Sequence, residues 1–306
     1  MDVNGDGLVD LLSGSFRQRE GDHRFGLFWV MAGVEGGGFR APEVLEGSDG
    51  QPLVIGSPDA TSSERSCTRP TAVDLNGDGW PDIVSGNSAG TFHVFAGEGP
   101  GRFSPRSHEL RRTGGSRVAV SSKSDPFFID WDGDGDQDLV SGSSRGVYLF
   151  LNEGDVHAPV FGQPRTLVEG VLPEHSPDPP RFGDAHLRAP EQNLRVWAGD
   201  LDGDGLVDLL VGDKATVTYP AEGLDEATAA TRLAQWNARS QALQRRTVTP
   251  ELTQEAFQAA WDALWAERAE IVEGSGAGFV WMYLQRPAQP TRRAPASPGP
   301  DAGGPH

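Results

Sequence analysis

Apolar residues in this chain occur in short runs, and four of these runs follow an aspartate and end at or near a glycine. Leucine, isoleucine and valine dominate them, and glycine stops a strand, so each run predicts a short buried strand. The four runs are Asp10-Leu11-Leu12-Ser13-Gly14, Asp82-Ile83-Val84-Ser85-Gly86, Asp138-Leu139-Val140-Ser141-Gly142 and Asp208-Leu209-Leu210-Val211-Gly212.

A second apolar run follows three of these strands after a turn, and each leads through a glycine-rich turn to a phenylalanine. The second runs are 27–31, 91–95 and 147–151, and a further outer strand is expected to begin near Phe39, Phe103 and Phe161. A strand-like run also precedes the acidic stretch in three copies, at 70–73, 126–129 and 194–199. The predicted unit is therefore strand, acidic loop, strand, turn, strand, turn, strand.

The spacing of the copies favours a β-propeller. The first aspartates of the acidic stretches are residues 2, 74, 130 and 200, which gives spacings of 72, 56 and 70 residues. Such periods fit four-stranded blades with variable loops, and stacked blades cover each other's apolar faces. We predict an all-β fold with propeller blades over residues 1–220. Most propellers have more than four blades, so a small ring, an incomplete arc and a ring with blades that lack the motif all stay open.

The first copy lacks a leading strand, because its acidic stretch begins directly after Met1. This predicts that the natural product starts upstream, through truncation or a misplaced start codon. No basic segment followed by an apolar stretch marks a signal peptide. A secretion signal could have been lost with the missing part, and a second chain or that part could complete the ring.

A helical pattern interrupts the fourth copy after a strand-like run at 215–219. Leu233, Trp236, Ser240 and Leu243 fall on one helical face, and Phe257, Trp261, Leu264 and Trp265 fall on another. Two antiparallel helices are expected, over roughly 225–245 and 250–272, the second starting at Thr249-Pro250-Glu251. The predicted organisation is an inserted α-helical hairpin at 221–274, a returning propeller strand at 275–286 and a disordered tail at 287–306.

The acidic stretches carry the distinctive chemistry of the repeat. In 130–138, five aspartates occur in nine residues, at positions 1, 3, 5, 7 and 9. Side chains at positions 1, 3, 5 and 9 with a backbone carbonyl at position 7 give an all-oxygen ligand set, which suits a hard cation of calcium's size. Glycine at positions 4 and 6 lets the backbone wrap around one ion. We predict up to four Ca2+ ions, with calcium structural in these inter-strand loops.

The four loops, Asp-x-[Asp/Asn]-Gly-Asp-Gly-x-x-Asp followed by a strand that ends at glycine, closely resemble the FG-GAP-like or VCBS-type repeats of bacterial β-propeller proteins, which are related in blade design to integrin α-chain propellers. The resemblance covers residues 1–220 and resumes near 278. It implies calcium ligands at positions 1, 3, 5 and 9 by side chain and at position 7 by backbone carbonyl. These residues are Asp2, Asn4, Asp6, Leu8 and Asp10; Asp74, Asn76, Asp78, Trp80 and Asp82; Asp130, Asp132, Asp134, Asp136 and Asp138; and Asp200, Asp202, Asp204, Leu206 and Asp208.

Two other calcium motifs fit less well. An EF-hand loop carries a bidentate glutamate at position 12 and lies between helices, whereas position 12 here is Ser13, Ser85, Ser141 or Val211 and the flanks are strands. Thrombospondin-type acidic repeats would bring cysteines, and Cys67 is the only one. It also leaves no intrachain disulfide and no CxxC zinc pair.

The net charge of −18 is explained mainly by the predicted calcium ligands, since the four loops hold 15 of the 44 acidic residues. It argues against nucleic acid as a partner, because phosphates need a basic surface. A mean hydropathy of −0.43 and the lack of an apolar run near 18 residues argue against a membrane span.

The function expected from the sequence is binding without catalysis. The histidines show no metal-binding spacing, and no Walker or HExxH motif occurs. We expect a non-enzymatic, calcium-binding module for protein or carbohydrate recognition or adhesion, secreted, periplasmic or at the cell surface, where calcium is abundant. The alternatives are an enzyme or enzyme subunit of the lyase or hydrolase type that uses the propeller funnel, and a truncated fragment of a larger propeller.

Overall fold

Four β-sheets follow one another along the chain as the blades of a propeller-like arrangement. The computed structural model describes residues 1–16, 18–20, 23–56, 60–171, 181–185, 187–245 and 253–287. Each sheet is antiparallel, and its strands are hydrogen-bonded mostly in chain order. The predicted all-β propeller fold, with two helices near the carboxyl terminus, is confirmed.

The first two blades each carry a short side hairpin, at different places in the blade. Blade 1 contains β1 (Leu11–Gly14), a side hairpin of β2 (Gln18–Glu20) and β3 (His23–Phe25), then β4 (Phe28–Met31) and β5 (Glu43–Val44). Blade 2 contains β6 (Arg69–Val73), β7 (Asp82–Gly86), β8 (Phe92–Phe95), a side hairpin of β9 (Gly97–Gly99) and β10 (Arg102–Phe103), then β11 (His108–Glu109). Blade 1 has no strand before β1, although the Met1 carbonyl accepts a hydrogen bond from the Asp10 N–H at 3.0 Å.

Blade 3 is regular and blade 4 is modified. Blade 3 contains β12 (Asp125–Ile129), β13 (Asp138–Gly142), β14 (Gly146–Phe150) and β15 (Arg165–Glu169). Blade 4 contains β16 (Gln192–Gly199) and β17 (Asp208–Pro220), then helices α1 (Glu226–Gln244) and α2 (Gln254–Ala269), then β18 (Val272–Ala277) and β19 (Val280–Tyr283). The outer strands β5, β11 and β15 begin a few residues after the expected Phe39, Phe103 and Phe161, because isolated bridges or the short side hairpin come first.

Adjacent blades are joined by shared apolar cores. Phe28 of blade 1 packs edge to face against Phe95 of blade 2, with ring centroids 5.5 Å apart, and Phe92 of blade 2 packs against Phe150 of blade 3 at 6.5 Å. A third core combines strands β13, β14 and β15 of blade 3 with β16 and β17 of blade 4. Within the described residues, no core cluster joins blade 4 to blade 1.

The glycine that ends the second strand of a blade makes room for the next blade. A Cβ added at Gly142 would lie far inside van der Waals contact with the carbonyl oxygen of Leu194, at the start of β16. Gly14 and Gly86 meet the carbonyls of Thr68 and Ser124 in the same way. The repeated Ser-Gly at the strand end is therefore a condition for stacking the blades as well as a strand stop.

The helices sit at the end of a two-stranded ribbon. The first part of β17 pairs with β19 inside the blade, and its second part, Ala215 to Pro220, pairs with β18. The predicted returning strand at 275–286 corresponds to β19. Strand β18 was not predicted, because its Val-Glu-Gly-Ser-Gly-Ala pattern is weakly strand-like. Strand β18 also crosses the boundary expected at 274, and the second helix ends at Ala269 rather than 272.

The helix starts follow ordinary capping chemistry. Asp225 caps α1 by accepting from the Thr228 N–H at 2.8 Å, and Thr253 caps α2 by accepting from the Ala256 N–H at 3.2 Å. Helix α2 thus begins at Gln254, later than expected, and the predicted start at 249–251 lies outside the described residues. The tail from 288 onward, predicted to be disordered, also lies outside them.

Tryptophans hold the two helices together. Trp236 is buried with Leu233, Ile271 and Val272, and its indole Nε1 donates to the Leu264 carbonyl at 2.6 Å. Its ring packs edge to face on Trp265 with centroids 5.4 Å apart. The hairpin is therefore packed on itself and on the start of β18, with Trp236 buried and Trp265 46% exposed.

The glycine at the end of the second strand allows a matched test of blade stacking. Gly142→Ala is expected to lower the free energy of unfolding by about 1–3 kcal/mol, because its Cβ would overlap the Leu194 carbonyl. Gly212→Ala is the control in blade 4, where an added Cβ meets only the Arg195 Cβ at 3.7 Å. Urea unfolding of both variants provides the measurement, and equal losses would contradict the role given to Gly142.

Candidate functional site: the acidic inter-strand loops

Each acidic loop connects the first strand of a blade to the second, except in blade 1, where no first strand precedes it. The fourth and sixth positions have positive φ in all four loops; in the third loop the values are +81° for Gly133 and +96° for Gly135. Residues with a Cβ rarely adopt these angles, so glycine is required there. The four copies thus have the same backbone bend.

The first aspartate of each loop organises the turn by accepting backbone N–H groups. Asp2 accepts from Gly5 and Gly7, both at 2.7 Å, and Asp200 accepts from Gly203 and Gly205 at 2.6 and 3.0 Å. Asp130 makes the equivalent bonds with Gly133 and Gly135, whereas Asp74 accepts from the N–H groups of Asp78 and Gly79. The N–H groups that donate to Asp2, led by that of Gly7, lower the pKa of this carboxyl. The position-1 carboxylates are therefore held at the centre of the turn.

The fifth and seventh positions also interact in every loop. The position-5 carboxylate accepts from the N–H of position 7 at 2.9 to 3.1 Å, in the pairs Asp6–Leu8, Asp78–Trp80, Asp134–Asp136 and Asp204–Leu206. This brings the backbone of position 7 against the position-5 carboxylate. The side chains at position 7 differ, since three are apolar and one is Asp136.

The last aspartate of each loop joins three parts of its blade. Asp138 accepts from the Trp131 N–H at 2.9 Å with one oxygen and from the Asn152 N–H, beyond β14, at 2.7 Å with the other. The same two bonds recur at Asp10, Asp82 and Asp208. Position 9 therefore connects its own loop to the end of the third strand, a role that the sequence did not indicate.

Loops 3 and 4 bring carboxylates close together. In loop 3, one oxygen each from Asp130, Asp132 and Asp138 lie within 4.8 Å of one another, and in loop 4 the same holds for Asp200, Asp202 and Asp208. Converging carboxylate oxygens are the donors that calcium takes. In each of these two loops, three of the predicted ligands are thus brought together around one candidate cation position.

Loops 1 and 2 differ at position 3. The Asn4 side-chain amide donates to the Asp6 carboxylate at 3.1 Å, and the Asn76 amide donates to Asp78 at 3.0 Å. This hydrogen bond gives one oxygen of the position-5 carboxylate a partner without a cation. Loops 3 and 4 carry aspartate at position 3 and have no such donor there.

The third loop has the largest uncompensated charge. Burial, together with Asp134 and Asp138 nearby, raises the pKa of Asp136 to about 6, and burial also raises the pKa of Asp138. The Asp136 side chain is buried, and its Oδ1 has no hydrogen-bond partner within the described residues. A divalent cation in this loop would favour the charged carboxylates, so the residues present fit calcium.

Neighbouring blades cover the first two loops but not the others. A Cβ added at Gly5 would lie 2.8 Å from Pro100 of blade 2, and one added at Gly77 would lie 3.0 Å from Val156 of blade 3. His157 also places its Nδ1 2.9 Å from the Asn76 carbonyl oxygen. No described residue lies within 4 Å of the equivalent positions at Gly133 and Gly203. Loops 3 and 4 are therefore the more accessible pair.

A separate charged cluster lies at the opposite, amino-terminal ends of β6, β12 and β16. Arg195 forms an ion pair with Asp125, and the buried Arg69 donates from Nη1 to the Lys123 carbonyl at 2.6 Å. Burial first, and then the charge of Arg195, lowers the pKa of Arg69. We call Arg69, Lys123, Asp125 and Arg195 the axial cluster.

Left-handed backbone occurs just before β6 and β12 and at the second residue of β16. Cys67, Lys123 and Asn193 have φ of +59°, +55° and +54°, an unusual conformation for residues other than glycine. Each stands two places before a charged residue of its strand: Arg69, Asp125 or Arg195. Sequence reasoning missed the axial cluster, although a charged residue near the start of each leading strand was a visible signal.

Comparisons with known proteins agree with this blade plan. The FG-GAP-like repeat family matches residues 74–122, from the first aspartate of loop 2 to just before β12. A search of curated proteins found no significant match. No helix in the described ranges has the length and apolar character needed to cross a membrane.

The solved structures that match are distant. The Tc holotoxin pore of Photorhabdus luminescens is 21% identical with a TM-score of 0.37, and the match covers 69% of this chain and 8% of that one. An Agrocybe aegerita lectin that recognises non-reducing terminal N-acetylglucosamine is 18% identical with a TM-score of 0.34, covering 67% and 48%. TcdB2-TccC3 is 15% identical with a TM-score of 0.30, covering 78% and 15%. The chain thus spans less than half the length of each.

The loop geometry, the blade order and the matched segment lead to the same conclusion. Residues 74–122 of this chain are an FG-GAP-like repeat, set in a four-bladed β-propeller arrangement.

Proposed function

We propose that this protein is a non-enzymatic recognition module whose propeller blades are stabilised by calcium in the acidic loops. The observation that carries the proposal is the convergence of three carboxylates in each of loops 3 and 4. In both loops, the remaining oxygens needed to complete a calcium shell are available from position 5 and from the position-7 backbone. Calcium there has an architectural role, since each loop lies between two strands of one blade.

Recognition would then use surfaces other than the calcium loops. The ligand class we propose is a protein or a carbohydrate, met at or outside the cell surface, where calcium is abundant enough to fill loops of this kind. The axial cluster is one such surface, because Arg195 is half exposed and Lys123 is partly exposed. The protein's charge is strongly negative, so this local excess of cations favours an acidic group on the ligand.

An enzyme that uses the propeller funnel is the second candidate function, and the axial cluster is the observation that bears on it. Two arginines and an aspartate converge at the strand ends, as they would in a site that binds a charged substrate. Arg195 and Asp125 are paired with each other, and Lys123 donates from Nζ to the Asn193 side chain. These internal pairings support binding or architecture over proton transfer.

Calcium is expected to raise the thermal stability of the protein. Each filled site contributes about 2.7 kcal/mol when free calcium is a hundred times its dissociation constant. Thermal unfolding followed with calcium, with a chelator and with magnesium measures the effect. The double variant Asp130→Asn and Asp200→Asn should lose most of the calcium-dependent shift. A melting temperature that is the same with calcium and with chelator would sink the calcium proposal.

Loops 3 and 4 are expected to bind calcium more tightly than loops 1 and 2. With Asn4 and Asn76 at position 3, loops 1 and 2 each have one fewer negative charge than an aspartate there would give. The amides of Asn4 and Asn76 also donate to a position-5 carboxylate oxygen. Asn76→Asp should therefore tighten the weak class of sites by about tenfold, and Asp132→Asn should weaken the tight class by a similar factor. Calorimetric titration of both variants beside the unaltered protein measures this. The ranking is wrong if Asp132→Asn leaves the tightest sites unchanged.

The position-9 aspartates are expected to stabilise the blades even without calcium. Asp138→Asn keeps one acceptor oxygen and turns an NH2 group toward a backbone N–H, so one buried donor loses its partner. The expected loss is about 1–3 kcal/mol of unfolding free energy, measured by urea denaturation in the presence of chelator. Asp132→Asn is the matched control in the same loop and should cost much less under these conditions. Equal costs would show that Asp138 acts only through a metal.

A further inference from the structure

The blade junction that recurs three times in this chain is left half-formed at both ends of the blade series. Near the start of the third strand of each blade, an apolar residue pairs in register with the glycine of the second strand. These pairs are Phe28 with Gly14, Phe92 with Gly86, Val147 with Gly142, and Val280 with Gly212. The first three of these side chains are 0% exposed, covered by the following blade, whereas Val280 is 73% exposed. All four residues are apolar and occupy the same position in their blades, so the exposure of Val280 reflects the lack of a following blade packed on it among the described residues.

The apolar residue two positions further along the third strand shows the same difference in exposure between blade 4 and the earlier blades. Val94 and Leu149 are 2% exposed in blades 2 and 3, and Met282, their equivalent in blade 4, is 63% exposed. Met282 pairs in register with Leu210, which is only partly buried, although its equivalents Val84 and Val140 are fully buried. We call the surface of Leu210, Gly212, Val280 and Met282 the forward face of blade 4.

Blade 1 shows the opposite half of the junction. Leu11 is 46% exposed, whereas its equivalents Ile83, Leu139 and Leu209 are buried against the preceding blade. Met31, its partner in register, occupies the place of the fully buried Phe95 and Phe150. We call the surface of Leu11 and Met31 the rear face of blade 1.

The geometry points to a second copy of this chain as the partner of these faces. At three junctions, a forward face of this design is covered by a rear face with the same second and third strands. Each copy has one of each left free, although the rear face of blade 1 lacks the first strand that β6, β12 and β16 supply in the other blades. Within one copy, the described residues place no core between them. We therefore propose that copies associate head to tail, with the forward face of blade 4 of one copy against the rear face of blade 1 of the next.

Two physical features shape this association. The contact is heterologous, so copies form a closed ring if the rotation between them closes and an open series if it does not. Each copy carries a net charge of −18, and like charges oppose the contact over distances that salt shortens. Association should therefore strengthen with ionic strength, which also favours apolar burial.

The test uses the full chain in sedimentation velocity and light scattering over a range of concentration and salt. Val280→Glu with Met282→Glu removes the forward face, and Leu11→Glu removes the rear face; each variant alone should be monomeric where the unaltered protein associates. Val171→Glu is the matched control, since Val171 is a valine half exposed on blade 3 away from both faces. It should associate normally, and circular dichroism verifies that each variant is folded.

Mixing the two face variants distinguishes a head-to-tail contact from a symmetric one. The forward-face variant still has an intact rear face and the Leu11→Glu variant an intact forward face, so a mixture should form a heterodimer and nothing larger. An unaltered protein that stays monomeric throughout, a mixture that stays monomeric, or association that survives both face variants would overturn the proposal.

Discussion

The buried carboxylate at position 9 of each loop is the interaction on which the blade depends. One oxygen fixes the loop by accepting from position 2, and the other fixes the residue that follows the third strand. Burial raises the pKa of Asp82 and Asp138, so keeping these groups charged has an electrostatic cost. Two hydrogen bonds offset part of this cost, and a cation shared with positions 1 and 3 would offset more. A fold that needs this carboxylate therefore also favours calcium.

Much of the blade plan could be predicted from sequence, because its determinants are local. Glycine at the fourth and sixth positions of a loop, an alternating set of oxygens and a strand that ends at Gly86 or Gly142 are all readable without a partner. The bonds from Asp138 to Asn152 and from Arg195 to Asp125 are not, since they join residues far apart in the chain. The αL residues Cys67, Lys123 and Asn193 were invisible for a similar reason: no local pattern requires that conformation in residues with a Cβ.

Around the helices, the periodicity of apolar residues predicted some elements and missed others. Helical spacing identified α1 and α2, because their apolar faces repeat over four or five turns. Strand β18 contains two glycines and a glutamate, so its place in the ribbon is set by pairing with the second part of β17 and not by its own composition. The extension of β17 to 13 residues is likewise a tertiary effect, since the ribbon exists to carry the hairpin.

The proposed calcium binding and the stacking of the blades are connected through the coverage of the loops. Blade 2 lays Pro100 against loop 1, and blade 3 lays Val156 and His157 against loop 2. Each of these loops thus has a neighbour that limits its movement, and each carries asparagine, which lessens its need for a cation. Loops 3 and 4 have no such cover at Gly133 or Gly203 and carry aspartate. The protein therefore stabilises its loops in two ways: by contact with the next blade where one is packed on them, and by a charge set suited to calcium where none is.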